Sequence, residues 1–489
     1  MVFTLVAAGV FFATMDSSMV NIGLPAIMAE FASPLAQTQW VVLIYLLTTS
    51  TTMLFWGHLG DGLGRGRVYS GGLLFFAVGS LCCSQAATLA LLLLGRFIQA
   101  FGAAMMMANG PALLKEAFPP QQLGRSLGYI TIATSLGLMS GPVLAGLVLH
   151  FSSWRLMFLA PLPLYLLITV IAFFLLAREH GPGRWHNFDW LGGLWWSFLL
   201  AGTTYTLTHA ASPVSSRPVL LLSSFMVLLS LLFFILQERR LAARADDDGS
   251  GGAGEVAPII PAPLLRQRAL VIAVLTACLS FLCLFAVLIL TPFYLDRVLG
   301  LEGGPIGLVM LAIPVMVLLT GPVAGWLADC GDTRVVASLG LAICCLGIFL
   351  FSRLTVTSSP WQVALVLGCF GLGQALFLSP NSTSALRRTA HTGVVSALLA
   401  TARTVGMMLG IALASLLFSR FFAHFSGGME LRDYTSAQAG AFVAALAWSY
   451  RCFLLVGLAA LFLSLLRPPG HRFGQKGCRE EEGRRGPLA

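Results

Sequence analysis

Charged residues are scarce in this chain. Asp, Glu, Lys and Arg make up 10% of its 489 residues, whereas an average soluble domain carries about 25%. Hydrophobic residues reach 57%, and the mean hydropathy is +0.86. This composition predicts a polytopic membrane protein and not a large soluble core. The net charge of +9 is better explained by basic loops at a membrane than by a nucleic-acid partner, which we do not expect.

Several chemical motifs are also missing. The two lysines, Lys115 and Lys476, do not follow a glycine, which excludes a P-loop and ATP-driven transport through that motif. The sequence contains no H-E-x-x-H and, among ten cysteines, no C-x-x-C. We therefore expect no enzyme activity, no cofactor and no metal site.

Long apolar runs fill most of the chain. A spanning helix needs about 20 apolar residues, and fourteen candidate spans meet this need. Their approximate limits are 2–24, 39–57, 68–85, 89–112, 126–149, 155–177, 190–208, 218–236, 269–294, 304–327, 335–352, 361–380, 396–420 and 448–466. Residues Val2 to Met15 carry no charge, so we expect the first run to be a retained span and not a cleaved signal peptide.

Basic residues show a strong bias between alternate loops. With the N-terminus inside, 20 of the 29 fall in cytoplasmic segments and 6 in outer loops. Cytoplasmic loops of membrane proteins are enriched in Lys and Arg. This bias predicts a multi-pass protein of the cell membrane (plasma or inner membrane) with both termini in the cytoplasm.

Three features recur in the same order at an interval of 267 to 269 residues. The pairs are Pro25 with Pro292, Gly57-x-Leu59-x-Asp61 with Gly325-x-Leu327-x-Asp329, and Gly137-x3-Gly141 with Gly406-x3-Gly410. Such a repeat predicts two homologous halves, as in many secondary transporters.

The repeat divides the chain into five parts. We expect six-helix halves at 1–177 and 269–466, separated by two inserted transmembrane helices at 178–238 and a cytoplasmic linker at 239–268. A cytoplasmic tail at 467–489 follows.

Few polar residues lie deep inside the predicted spans. Asp16 is the only acidic one, and intramembrane acids are functional candidates because burying them is costly. Burial disfavours the charged form of a carboxyl, so Asp16 could carry a proton or only bond to neighbours such as Asn21. Arg96, one helical turn before Gln99, could adjust the proton affinity of Asp16 or clamp backbone carbonyls. Arg403 could serve the same cavity or extend to the membrane surface.

Glycine patterns indicate close helix contacts and a possible gate. Small residues four apart on the fifth span, with a Gly-Pro kink, predict tight packing at the contact between the halves; they are Gly137, Gly141, Pro142 and Gly146. The repeated inner-loop motif either latches the cytoplasmic side or only fixes a turn. Its residues are Gly57, Asp61, Gly64, Arg65, Arg67, Asp329 and Arg334.

Together these motifs resemble the fourteen-helix drug/proton antiporter branch of the major facilitator superfamily, over nearly the whole chain. The matching residues are Asp16, Val20, Asn21, Leu24 and Pro25 on span 1; Gly57, Leu59, Asp61, Gly64, Arg65 and Arg67 in the loop after span 2; Arg96, Gln99 and Gly102 on span 4; Gly128, Gly137, Gly141, Pro142 and Gly146 on span 5; and Arg403, Gly406 and Gly410 on span 13. The sequence departs from the family patterns at Gly62, Ala100, Ala145 and Pro161.

The resemblance implies an all-α fold whose halves rock around a central cavity, and a proton-coupled exporter of amphipathic small molecules or drugs. Asp16 and Arg96 would couple protons, while Asn21, Gln99 and Arg403 would line the cavity. One acid implies few protons per cycle and neutral or monovalent substrates. Membrane lipids surround such a protein, and some members work with a periplasmic adaptor protein. The alternatives are a proton-independent facilitator or importer of the same fold, and a non-transporting receptor or scaffold.

Overall fold

Helices account for the regular structure of the described residues, which contain no strand. The computed structural model describes residues 2–117, 133–134, 136–137, 140–141, 143–176, 189–211, 216–247, 267–301, 303–330, 332–386, 392–429, 431 and 434–468.

The described part of the first half contains long helices and two helices of only four residues. They are α1 (Val2–Glu30), α2 (Leu35–Thr38), α3 (Trp40–Leu63), α4 (Arg65–Ser84), α5 (Leu89–Ala117), α6 (Leu156–Leu159) and α7 (Leu162–Leu176). Residues 143–151, between α5 and α6, are also helical and belong to the fifth predicted span.

The inserted pair and the second half follow. Their helices are α8 (Trp190–Ala211), α9 (Arg217–Asp247), α10 (Arg268–Arg297), α11 (Gly303–Met310), α12 (Ala312–Cys330), α13 (Thr333–Phe351), α14 (Pro360–Leu386), α15 (Thr392–Phe425) and α16 (Ala439–Leu465).

The helices follow the order of the predicted spans. In the described part of the chain, eleven helical stretches are long and apolar enough to cross a membrane. Helices α3 and α8, with 24 and 22 residues, are long enough as well. The fifth predicted span, 126–149, is described only in part. The all-α polytopic fold is confirmed, and the helix order agrees with fourteen spans.

Two predicted spans are each divided into two consecutive helices. Helix α6 ends at Leu159 and α11 ends at Met310, in each case four residues before a proline, Pro163 or Pro314. A proline lacks an N–H donor, and its ring clashes with the carbonyl four residues earlier. The breaks therefore have a local cause in the sequence.

Helix α9 is longer than predicted. The sequence predicted a span at 218–236 and a linker from 239, whereas the helix continues to Asp247. The residues that extend it are mainly Glu, Arg, Leu and Ala, which have high helix propensity. The helix therefore includes the first part of the predicted linker.

Successive spans run in opposite directions, which defines two faces of the bundle. We name the side on which α1 begins the N-terminal face, which the basic-residue bias predicts to be cytoplasmic, and the other side the opposite face. A central apolar core contains residues of both halves, including Leu24 and Phe293. Core residues of the second half near the N-terminal face, including Leu270 and Leu341, belong to two separate smaller clusters. Among the described residues, the halves therefore share a continuous core mainly towards the opposite face.

The inserted helix α8 packs against α3 of the first half and α15 of the second. At the opposite face, the Arg420 guanidinium donates two hydrogen bonds, of 3.1 and 2.7 Å, to the Ala210 carbonyl at the end of α8. The inserted pair therefore lies beside the junction of the two halves.

Candidate functional site

Asp16 lies near the middle of α1, a helix of 29 residues that contains no other acid before Glu30. The apolar residues around it favour a membrane-spanning helix, and the packing of α1 against α5 buries its side chain to 3% exposure. A carboxylate at this depth requires a compensating charge and hydrogen bonds.

Helix α5 supplies both. Arg96 Nη1 lies 2.5 Å from Asp16 Oδ2, and Gln99 Nε2 donates to Asp16 Oδ1 over 2.9 Å. The Arg96 Nη1 group also donates to Gln99 Oε1 over 2.7 Å. Arg96 and Gln99 can share one carboxylate because they are one helical turn apart. We refer to Asp16, Arg96 and Gln99 as the polar triad.

The surroundings of the triad hold the guanidinium in place. Arg96 Nε donates to the Val41 carbonyl over 3.0 Å, and the guanidinium carbon lies 4.3 Å from the centre of the Tyr45 ring. The Phe158 ring is 5.8 Å away. Arg96 has 0% exposure, so this cation is enclosed by protein, an arrangement in which cation–π contacts are strongest. These three partners could not be predicted from the sequence, because they come from distant segments.

The second half lacks a counterpart of the triad. The pairing of Pro25 with Pro292 places Cys283 at the position of Asp16. A Cβ on Gly79 would contact Gln99, and a Cβ on Gly347 would contact Phe370. Phe370 therefore replaces Gln99, and Leu367 replaces Arg96. At this repeat position, the buried carboxylate therefore occurs in the first half alone.

Asn21 and Arg403 do not join the triad. Asn21 is buried further along α1, and its Oδ1 has no hydrogen-bond partner among the described residues. Arg403 lies on α15, where its Nη2 donates to Ser382 Oγ on α14 over 2.8 Å. Its guanidinium carbon is 5.7 Å from the Phe281 ring on α10. Of the two intramembrane arginines, Arg96 is therefore the one paired with Asp16.

Two glycines of the fifth span, Gly137 and Gly141, pack tightly against α1. A Cβ on Gly137 would lie 2.6 Å from the Phe11 carbonyl oxygen, and one on Gly141 would lie 2.6 Å from Ser18 Cβ. Our expectation of a contact between the halves is wrong for these two residues, because the tight approach occurs inside the first half, on either side of Asp16 along α1.

The corresponding glycines of the second half pack in the same way. Gly406 and Gly410 approach the Cys278 and Leu282 carbonyls of α10 in the same way. Gly146 is buried, and its carbonyl oxygen lies 4.0 Å from a Cβ built on Gly304 of the second half. Pro142 lies outside the described residues. Among the described residues of this motif, Gly146 at its outer end is therefore the one that approaches the other half.

The inner-loop motif forms a turn between α3 and α4. Gly57 belongs to α3, and Gly64 has a φ of +101°, which favours glycine. Arg65 and Arg67 lie in the first turn of α4. In the second half, Asp332 caps α13 by accepting a hydrogen bond from the Arg334 backbone N–H over 2.9 Å.

The side chains of Asp61 and Asp329 lie outside the described part of the structure. The proposed latch at the N-terminal face therefore stays a prediction. The described residues contain no group of three His, Cys, Asp or Glu side chains that could hold a metal ion.

Sequence reasoning missed one buried cation. Arg467, predicted to begin the cytoplasmic tail, has 2% exposure and belongs to the second half. It donates to Asn381 Oδ1 over 2.5 Å, to Ser384 Oγ over 2.9 Å and to Thr276 Oγ1 over 3.3 Å. Arg467 lies at the end of the last apolar run, so its burial was not predicted. The polar residues on α14 could have indicated a hydrogen-bond partner.

Comparison with known proteins agrees with this architecture. The sequence profile of the Major Facilitator Superfamily matches residues 6–411. The chain is 29% identical to the riboflavin transporter RibZ of Clostridioides difficile, covering 89% of this chain and 91% of that protein. It is 28% identical to the multidrug resistance protein Stp of Mycobacterium tuberculosis, covering 84% and 74%.

A solved structure shows the same fold. It is a bacterial homologue of the human lysosomal transporter Spinster in an inward-facing, unoccupied conformation, with a TM-score of 0.69 and 13% identity over 95% of this chain and 96% of that chain. Fold, repeat and profile agree, and this chain belongs to the Major Facilitator Superfamily.

Proposed function

We propose that this transporter is a proton-coupled exporter that exchanges amphipathic small molecules for protons by alternating access. The observation that carries the proposal is the polar triad, in which Asp16 is buried between two donors. The alternatives are a proton-independent facilitator or importer of the same fold, and a receptor or scaffold that does not transport.

The triad links protonation to helix packing. Its geometry suits an ionised Asp16, because both carboxylate oxygens accept hydrogen bonds. Protonation would remove the negative charge opposite Arg96, while Gln99 Oε1 and the Val41 carbonyl would still accept from the guanidinium. The interaction between α1 and α5 would then weaken, whereas the hydrogen bond from α5 to α3 would persist. Proton binding can thus change how α1 packs within the first half.

The packing of the fifth span supports a link between protonation of Asp16 and helix movement. Gly137 and Gly141 contact α1 on either side of Asp16, so a shift of α1 must also move against the fifth span. Two rigid halves that rock around a midplane site are the general scheme for this class of transporter. Protonated and substrate-bound forms would favour different packings, which couples the two fluxes.

Two observations favour export over import. The Gly-Pro pattern of the fifth span resembles that of antiporters, and several relatives are multidrug resistance proteins. The similarity to a riboflavin transporter favours a wider range of substrates. We place the protein in the cell membrane with both termini in the cytoplasm, as the basic-residue bias indicates. A periplasmic adaptor protein is a further candidate partner.

Proton flux in sealed vesicles tests the proposal. Purified protein would be reconstituted with an imposed pH gradient, and a pH-sensitive dye would follow proton movement while amphipathic anions, cations and neutral compounds are added. We expect substrate-triggered proton movement in the wild type and its loss in Asp16→Asn, an isosteric change that keeps an oxygen to accept from Arg96. Asp16→Glu, which keeps the carboxyl, is the matched control.

The outcomes separate the alternatives. Transport of a labelled substrate without proton movement would favour the facilitator. Proton movement that survives in Asp16→Asn would keep the antiporter but remove Asp16 as its proton carrier. The absence of transport and of proton movement with every compound, in the wild type and in the cavity variants alike, would favour the receptor or scaffold.

A further inference from the structure

The second half contains an intramembrane cation that differs from Arg96 in its environment. Arg403 donates one hydrogen bond, to Ser382 Oγ, and its Nε is buried without a hydrogen-bond partner among the described residues. No described carboxylate forms an ion pair with it. Arginine stays charged at physiological pH, and a charge at this depth is costly without a partner.

The side chain points into the second half. Gly406 and Gly410 face α10, because a Cβ at either would meet the Cys278 or Leu282 carbonyl. Residues three and seven positions apart share one face of a helix, so Arg403 lies on the same face. Its contacts with Phe281 on α10 and Ser382 on α14 agree with this placement. The guanidinium therefore faces the interior of the half and not the surrounding lipid.

The depth of this group matches that of the triad. In the repeat, Phe281 corresponds to Thr14 and Cys283 to Asp16. The Arg403 guanidinium, beside Phe281, thus lies at about the level of Asp16 in the opposite half. Because Asp16 is already paired with Arg96, it does not neutralise Arg403. The described interior therefore carries a surplus positive charge on the second half.

We propose that Arg403 is an anion-recognition point of the substrate site. The ligand would be an amphipathic molecule with a carboxylate or similar planar anionic group on an aromatic or apolar body. Nε–H and the adjacent N–H of Nη2 would donate to the anion as a fork, and the second N–H of Nη2 would keep its hydrogen bond to Ser382 Oγ. The Phe281 ring would contact the apolar body. The biological meaning of this inference rests on the proposed transport function, while the binding itself can be tested alone.

The test is ligand binding to the purified full-length protein in detergent, without any gradient. Three probes share one ring system and differ only in the polar group: 2-naphthoate, 2-naphthamide and 2-naphthylmethylammonium. Affinity would be read from the rise in melting temperature with ligand concentration. We expect 2-naphthoate to bind at least tenfold more tightly than the other two. Equal binding of all three, a preference for the ammonium, or no binding of 2-naphthoate would overturn the proposal.

Three variants test whether the preference for 2-naphthoate depends on Arg403. A charged hydrogen bond is worth a factor of about ten to a hundred in affinity, so Arg403→Gln should lose that factor for 2-naphthoate and change 2-naphthamide little. Arg403→Lys, which keeps the charge but not the fork, should lose less. Arg451→Gln removes the same charge from an exposed position of α16, where Arg451 lies 4.8 Å from the Trp448 ring, and should have no effect. An unchanged affinity in Arg403→Gln would overturn the proposal.

One further arm distinguishes a small-molecule ligand from a lipid headgroup. Addition of phosphatidylglycerol to the micelles should not displace 2-naphthoate, because Arg403 faces the interior. Displacement would mean that lipid fills the site and would overturn the assignment to substrate. If 2-naphthoate binding depends on Arg403 but no compound triggers proton flux, the proposed anion site stands and only the proposed proton coupling is rejected.

Discussion

At the scale of single residues, the site is an ion pair whose partners differ in their chemistry. Asp16 can become neutral by taking up a proton, whereas Arg96 cannot lose its charge under physiological conditions. The two residues are buried together, so removal of either one leaves the other buried without its partner. This difference predicts unequal costs for the two deletions.

Asp16→Ala should cost about 3–5 kcal/mol of stability, because it leaves the Arg96 charge buried without a carboxylate. Arg96→Leu should cost less, because the remaining Asp16 carboxyl can become protonated. The double variant should be more stable than the sum of the two losses predicts. Unfolding in detergent would measure all three, and strictly additive losses would show that the pair is not coupled.

A second group of residues connects the end of α1 to the segment just before α6 at the opposite face. Glu30 accepts a hydrogen bond from Trp154 Nε1 over 2.6 Å and forms an ion pair with Arg155 at 2.6 Å. Glu30 and Arg155 are 40% and 31% exposed, so solvent screens the pair. The Trp154 side chain, at 2% exposure, contributes mainly through its buried ring.

We therefore expect Arg155→Gln to change stability by less than about 1 kcal/mol, whereas Trp154→Ala should cost about 3–5 kcal/mol through the cavity that it creates. Thermal unfolding of the two variants at the same pH would check the difference. A larger loss in Arg155→Gln than in Trp154→Ala would contradict this ranking.

At the scale of elements, the glycines of the fifth span determine how closely it approaches α1. The contacts involve backbone atoms, such as the Phe11 carbonyl against Gly137 and the Met15 carbonyl, 2.9 Å from a Cβ on Gly141. Backbone cannot rotate away as a side chain can. A methyl group at these positions must therefore move the helix segment that carries Asp16.

Gly137→Ala should destabilise the protein by about 1–3 kcal/mol, the usual cost of overpacking, and should reduce transport more than a purely structural change would. Gly368→Ala is the matched control, because a Cβ there would meet Met316 at 3.5 Å, an ordinary contact. Melting temperature and proton flux would be measured on both. Equal effects of the two changes would argue against a special role for the contact with α1.

Several elements could be predicted from the sequence because their cause is local. The apolar runs, the glycine spacing and the repeat depend on composition and order alone, and Asp16, Arg96 and Gln99 were identified because polar residues are rare in spans. The partner of Gly137 could not be predicted, since the spacing indicates a close approach without saying to which helix. Arg467 was assigned to the tail because its burial depends on Asn381 and Ser384, which precede it by more than 80 residues.

At the scale of the whole molecule, the described contacts between the halves indicate a state that is closed towards the opposite face. Helix α1 approaches α10 and α11, and α15 approaches α2 and α3. Gly146 and Gly304 lie at the ends of their spans on the opposite face. Alternating access requires these contacts to separate when the protein opens towards that face. A covalent link across them should therefore stop the cycle.

The double variant Gly146→Cys/Gly304→Cys tests this requirement, because the Gly146 carbonyl oxygen and a Cβ on Gly304 are only 4.0 Å apart. We expect oxidation to form a disulfide between the halves, to abolish substrate-triggered proton flux, and to allow recovery on reduction. The single variants control for the substitutions and for the native cysteines. Full transport by the cross-linked protein, with the link verified by mass spectrometry, would show that the opposite face need not open here. The substrate would then have to leave by another route, beside the inserted pair or through the membrane-facing side of the bundle.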